Sequence, residues 1–98
     1  MTVKFFPNDK NNPPGKIADA ELVDVIPGLK LIGFAVWERK SGGLNVTFPA
    51  RQYSVNGERR SFALLRPIID ATAQDALRDT IIAAWHEHES KRAQEVER

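Results

Sequence analysis

The sequence predicts an α+β domain: an antiparallel β-meander of about four strands with one C-terminal α-helix packed on the sheet, expected to dimerise. Three observations carry that expectation. Four extended runs between residues 17 and 66 are separated by turn signals. An apolar stripe of helical period follows residue 70. The run 29–39 is apolar on both parities, although one helix covers only one face of a sheet.

Taken in order, Asn8-Asp9-Lys10-Asn11-Asn12-Pro13-Pro14-Gly15 is a loop. Ahead of it, Val3-Lys4-Phe5-Phe6 can form a short edge strand. Residues 1–16 are expected as a flexible N-terminal arm, 17–90 as the single domain, and 91–98 as a frayed polar tail. The first run is 17–25. Pro27-Gly28 then suits a type II turn, since proline presets φ and glycine tolerates φ > 0. In the second run, 29–39, Leu31, Gly33, Ala35 and Trp37 share one parity and Ile32, Phe34 and Val36 the other. A Ser41-Gly42-Gly43 turn leads to the third run, 44–53, where Leu44, Val46 and Phe48 alternate with Asn45 and Thr47. Pro49 lacks a ladder donor, so pairing should break, bulge or reach an edge there. Asn56-Gly57 is a strong hairpin signal before the fourth run, 59–66.

Asp70 or Thr72 can cap the helix, and Thr72-Ala73-Gln74-Asp75 reads as a capping box with Asp in place of Glu. Ala73, Ala76, Leu77, Thr80, Ile81, Ala84, Trp85 and His88 recur at helical spacing. Glu87 and Lys91 are placed for an i,i+4 pair. The second sheet face needs a cover. A second copy of the chain is the simplest one, and the N-terminal arm is the alternative.

Composition excludes several classes. The 98 residues contain no cysteine, so disulfide scaffolds and cysteine-based zinc sites are out. No apolar run is long enough to span a membrane, and residues 1–14 lack the pattern of a signal peptide. A cytoplasmic location follows as the expectation. His86-Glu87-His88-Glu89 is no metal cluster, because helical residues two apart point ~200° away from each other. His88 is expected at the rim of the core. Ser41, Ser54, Ser61 and Ser90 have no elbow or adjacent base, Glu38 and Glu58 lie beside turns, and Ser41-Gly42-Gly43 is too short for a phosphate loop. The expectation is a non-enzyme with no catalytic residues, cofactor, metal or small-molecule substrate.

Charge is more informative. The net +1 divides into −1 over residues 1–27, +5 over 28–66 and −3 over 67–98. Arginine dominates the basic segment, and its fork suits bidentate phosphate contacts. Arg51, Arg59, Arg60, Arg66, Arg39 and Lys40 are the candidate nucleic-acid-binding residues, with Tyr53 nearby. The competing reading is that these cations pair with the acidic helix and keep the surface solvated.

Gly43-Leu44-Asn45-Val46-Thr47-Phe48-Pro49-Ala50-Arg51, followed by Asn56-Gly57-Glu58-Arg59-Arg60 and Pro67-Ile68, resembles the stage V sporulation protein G (SpoVG) family. Asp70 stands at the family's helix cap, and Leu77, Ile81, Ile82 and Trp85 match its apolar stripe. Residues 17–22 resemble its first strand, and the N-terminal half is shortened. The resemblance covers residues 17–86. It implies a small bacterial cytoplasmic homodimer that binds nucleic acid, DNA more than RNA, in regulation linked to septation, sporulation and virulence. Arg51 and Arg60 fall on the family's basic positions. The alternative is a protein-interaction module with no nucleic-acid binding, using the second apolar sheet face.

Overall fold

Proline and glycine cut the chain where its strands end. A computed structural model describes residues 1–96. Its elements are β1 (Thr2–Pro7), β2 (Lys16–Ile26), β3 (Leu29–Glu38), β4 (Leu44–Thr47), β5 (Ala50–Val55), β6 (Glu58–Ala63) and α1 (Thr72–Val96). The fold is α+β. β1 to β4 form an antiparallel meander in that order, and β5 and β6 form a separate two-stranded hairpin. Among the described residues, no helix is long and apolar enough to cross a membrane.

The sheet is built in rows that run across its strands. Phe5, Ala20 and Phe34 stand opposite one another, as do Val3, Leu22 and Leu31, and Pro7, Ala18, Val36 and Val46. These rows face α1, where Ile81 and Trp85 complete the buried core. The rows between them, such as Phe6, Asp19, Ala35 and Thr47, form the open face.

Three expectations are corrected. Residues 2–7, within the arm expected to be flexible, are strand β1, the edge strand expected of Val3-Lys4-Phe5-Phe6. The Phe5 ring meets Trp85 edge-on at 5.1 Å and His88 at 5.4 Å, and burying an aromatic ring offsets the entropy of ordering the segment. The following loop is also tied down: the Glu38 N–H donates to the Gly15 carbonyl (2.8 Å) and the Asn8 N–H to that of Ile17 (2.7 Å). The tail expected at 91–98 is helical as far as Val96, and positions 97 and 98 lie outside the described residues.

The second correction concerns β3. Ala20 faces Phe34 but Leu22 faces Leu31, so β3 carries an extra residue opposite β2. This bulge, at Ile32-Gly33, reverses parity. Leu31 therefore joins Phe34 and Val36 on the covered face, while Ile32 is exposed. Gly33 has φ 103°, and a Cβ built on it would lie 2.9 Å from Cβ of the buried Pro49. The open face is accordingly mixed. Lys30 bonds Glu21 at 3.2 Å across it, and Trp37 Nε1 donates to Thr47 Oγ1 at 2.8 Å. It is not the continuous apolar surface expected.

The third correction is to the helix stripe. Leu77, Ile81, Ala84, Trp85 and His88 are buried or half-buried, but Ala73, Ala76 and Thr80 are exposed, and Arg78 and Ile82 pack instead. Arg78 lies over the Phe48 ring at 5.5 Å while its guanidinium reaches Asp75 at 2.8 Å. Its Nε is buried with no hydrogen-bond partner, while Nη1 reaches out to the exposed Asp75 carboxylate. At the start of α1 the Thr72 N–H donates to Asp70 Oδ1 (2.9 Å), which makes Asp70 the capping side chain.

Candidate nucleic-acid interface

The basic segment takes its form from two local signals. Pro49 has no N–H to continue β4's ladder, and the third extended run breaks there into β4 and β5. Asn56 (φ 52°) and Gly57 (φ 81°) then close a two-residue turn with both φ values positive, the geometry that matches strand twist. The result is a hairpin that leaves the sheet. Its root is held where the Leu64 N–H donates to the Pro49 carbonyl at 2.9 Å. The fourth expected strand, 59–66, thus lies outside the main sheet, whose fourth strand is β1.

The register decides which side chains meet. Arg51 stands opposite Phe62, Tyr53 opposite Arg60, and Val55 opposite Glu58. Directly opposed residues share a face, and so do residues two apart. One face therefore carries Arg51, Tyr53, Arg60 and Phe62, with Val55 and Glu58 at its turn end. The two rings lie 5.7 Å apart, tilted by 58°. Arg66 reaches the same group: its Cζ lies 5.6 Å above the Phe62 ring, and its Nε donates to the Ala63 carbonyl at 2.7 Å. Three guanidinium groups thus surround two exposed rings.

The other candidates lie apart. Arg59 projects from the opposite hairpin face, with Gln52, Ser54 and Ser61. Arg39 and Lys40 occupy the β3–β4 turn, where the Arg39 N–H donates to Gly43 O at 3.0 Å and Nη2 to Asn45 Oδ1 at 3.4 Å. That turn is at the far end of β4 from the hairpin, ~14 Å away at ~3.4 Å per residue.

Among the described residues, no carboxylate of α1 pairs with this group. Among the described residues, α1's ion pairs are internal: Arg78–Asp75, Lys91–Glu87 and Arg92–Glu89. Arg60 meets only Glu58 on its own strand, at 3.4 Å, with both side chains exposed. Such an exposed pair is weak and yields readily to a polyanion. Chemically, the face offers planar donors for phosphate oxygens and aromatic faces for bases. Phe62, read from the sequence only as a strand residue, is the member that was missed. The two-residue turn at Asn56-Gly57 fixes the pairing and places Phe62 opposite Arg51. Of the histidines, His86 is exposed and His88 stacks on Trp85 at 5.3 Å.

No family model, curated protein or solved structure matches the chain.

Proposed function

We propose that this chain is a small SpoVG-like nucleic-acid-binding regulatory protein, acting as a homodimer, with DNA as its preferred polyanion. One observation carries the reading. Arg51, Arg60 and Arg66 cluster with Tyr53 and Phe62 on one exposed hairpin face, and no carboxylate of α1 reaches them among the described residues. The arginines supply phosphate contacts that set affinity, and the rings add stacking that tolerates any base.

Titration of a DNA duplex at two salt concentrations tests this. Three arginines per copy, six per dimer, give a log–log salt slope of about −5, or a loss of ~10³-fold between ~50 and ~200 mM salt. Arg51→Ala with Arg60→Ala flattens that slope. Absence of binding at low salt, or an unchanged slope in the double variant, refutes the reading. A second reading rests on Phe6 and Ile32, which are exposed on the open sheet face. It makes the chain a protein-interaction module, and its mark is a stable complex with no affinity for nucleic acid.

A further inference from the structure

The chain exposes more surface than its mass warrants. A folded monomer of 11.0 kDa exposes ~5,600 Å² by the scaling of area with mass. This chain exposes 7560 Å². The excess, ~1,900 Å² on that scaling, is more than twice the ~800 Å² that one partner contributes to an interface of standard size. The radius of gyration agrees: 15.2 Å, against ~13 Å for a compact domain of this length.

Part of the exposed surface is apolar. Ile68 is 99% exposed and Ile69 93%, in the linker that joins β6 to α1. Leu64 (59% exposed) precedes it in the chain, and beside it lies a shallow groove of about 180 Å³ lined by Phe48, Leu65, Pro67 and Leu77. A second apolar group stands at the β2–β3 tip, where Ile26 (61% exposed) faces Leu29 (62%) across the ladder. Among the described residues the hairpin makes no extensive packing contact with another element. A two-stranded ribbon alone in water is marginally stable at best and needs something to pack against.

We infer that a second copy of this chain covers these surfaces by twofold exchange: the Ile68–Ile69 strip of each copy packs on the Ile26–Leu29 tip of the other. A twofold axis makes each contact twice, so one operation closes both apolar groups on both copies. Two excesses of this size together fall in the range of obligate homodimers. The inference rests on the dimer proposed above and names its surface. It replaces the open sheet face, whose Lys30–Glu21 pair and Asp19 make it the more polar candidate.

Sedimentation equilibrium tests it on the full chain. The wild type is expected at twice 11.0 kDa. Ile68→Ser with Ile69→Ser, and separately Ile26→Ser with Leu29→Ser, should each weaken association by ~100-fold or more, since each removes two large apolar side chains. All four residues are exposed, so each variant keeps its core, and an unchanged far-ultraviolet spectrum checks this. Mixing the two variants should restore a dimer, because the mixed pair retains one intact contact. A monomeric wild type overturns the inference, as does a dimer that survives both pairs of substitutions but is split by Phe6→Ser with Ile32→Ser. So does a mixture that stays monomeric. A wild-type monomer that still binds duplex removes this inference and leaves nucleic-acid binding standing. A dimer that binds none does the reverse.

Discussion

Gly33→Ala probes the bulge that sets the parity of β3. Two separate costs follow from the structure. Gly33 sits at φ 103°, where side chains bearing a Cβ are strained. Holding a non-glycine residue in such a region costs ~1–3 kcal/mol. The added methyl would also lie 2.9 Å from Cβ and 3.3 Å from Cα of Pro49, well inside the ~3.5–4.0 Å optimum for carbon atoms. Pro49 is buried and its ring is fixed to the backbone, so it cannot rotate aside. Overpacking of this kind costs a further ~1–3 kcal/mol. The total, ~2–6 kcal/mol, is a large part of the ~5–15 kcal/mol that holds a domain folded. Gly28→Ala supplies the control. Gly28 also has positive φ (85°), but nothing lies within 4 Å of a Cβ built there, so only the backbone cost applies. Urea unfolding followed by the fluorescence of Trp37 and Trp85 measures both. Gly33→Ala should lose ~1–3 kcal/mol more than Gly28→Ala. At ~4–8 °C per kcal/mol the melting temperatures should differ by roughly 10 °C. Equal losses in the two variants would refute the steric argument and leave Pro49 without a role in placing the bulge.

The remaining predictions concern the core, the cap and the hairpin. Ile81→Ala empties a fully buried site between α1 and the sheet and should cost ~2–5 kcal/mol in urea unfolding. The Thr72 hydroxyl and then its N–H hold the Asp70 carboxyl below its ordinary value of 3.8. A carboxyl depressed on folding contributes stability above that ordinary value and loses it as pH falls through the folded value. Asp70→Asn should therefore flatten the acid limb below pH 3.8 in thermal melts taken across that range, while an unaltered limb would deny Asp70 the cap. Arg59→Ala, on the opposite hairpin face, should leave the duplex salt slope unmoved, whereas Arg66→Ala should reduce it by ~0.9 per copy. Identical effects from the two would show that the aromatic face is not the contact surface.

Residues with one strong local preference made most of the fold legible in the sequence. Pro27-Gly28, Pro49 and Asn56-Gly57 act through their own backbones, and each turns or breaks the chain where its chemistry requires. What stayed hidden depends on partners distant in sequence. The bulge at Ile32-Gly33 exists only in relation to β2 and Pro49, so counting parity along β3 put Leu31 and Ile32 on the wrong faces. The helix stripe was misplaced because Ala73, Ala76, Ala83 and Ala84 lie on several sides of α1. Alanine is small and indifferent to burial, so the stripe's centre is set by Phe48 and Phe5 beneath it. The edge strand β1 was legible in Val3-Lys4-Phe5-Phe6, but the Phe5–Trp85 contact that holds it was not. The candidate site divides the same way. Its arginines stand out from charge alone, but which of them share a face with Tyr53 and Phe62 follows from the register of β5 and β6.

The chain leaves the sheet at Pro49 and the linker to α1 begins at Leu64, and one 2.9 Å hydrogen bond joins these two positions. The two ends of the ribbon are neighbours, and no fully buried side chain belongs to β5 or β6. The ribbon is therefore an interchangeable part. A short turn bridging Pro49 to Leu64 in its place leaves every residue of the core where it stands. Its length, charge and aromatic content can be rewritten, by selection or by an engineer, while the body that carries it goes on folding unchanged.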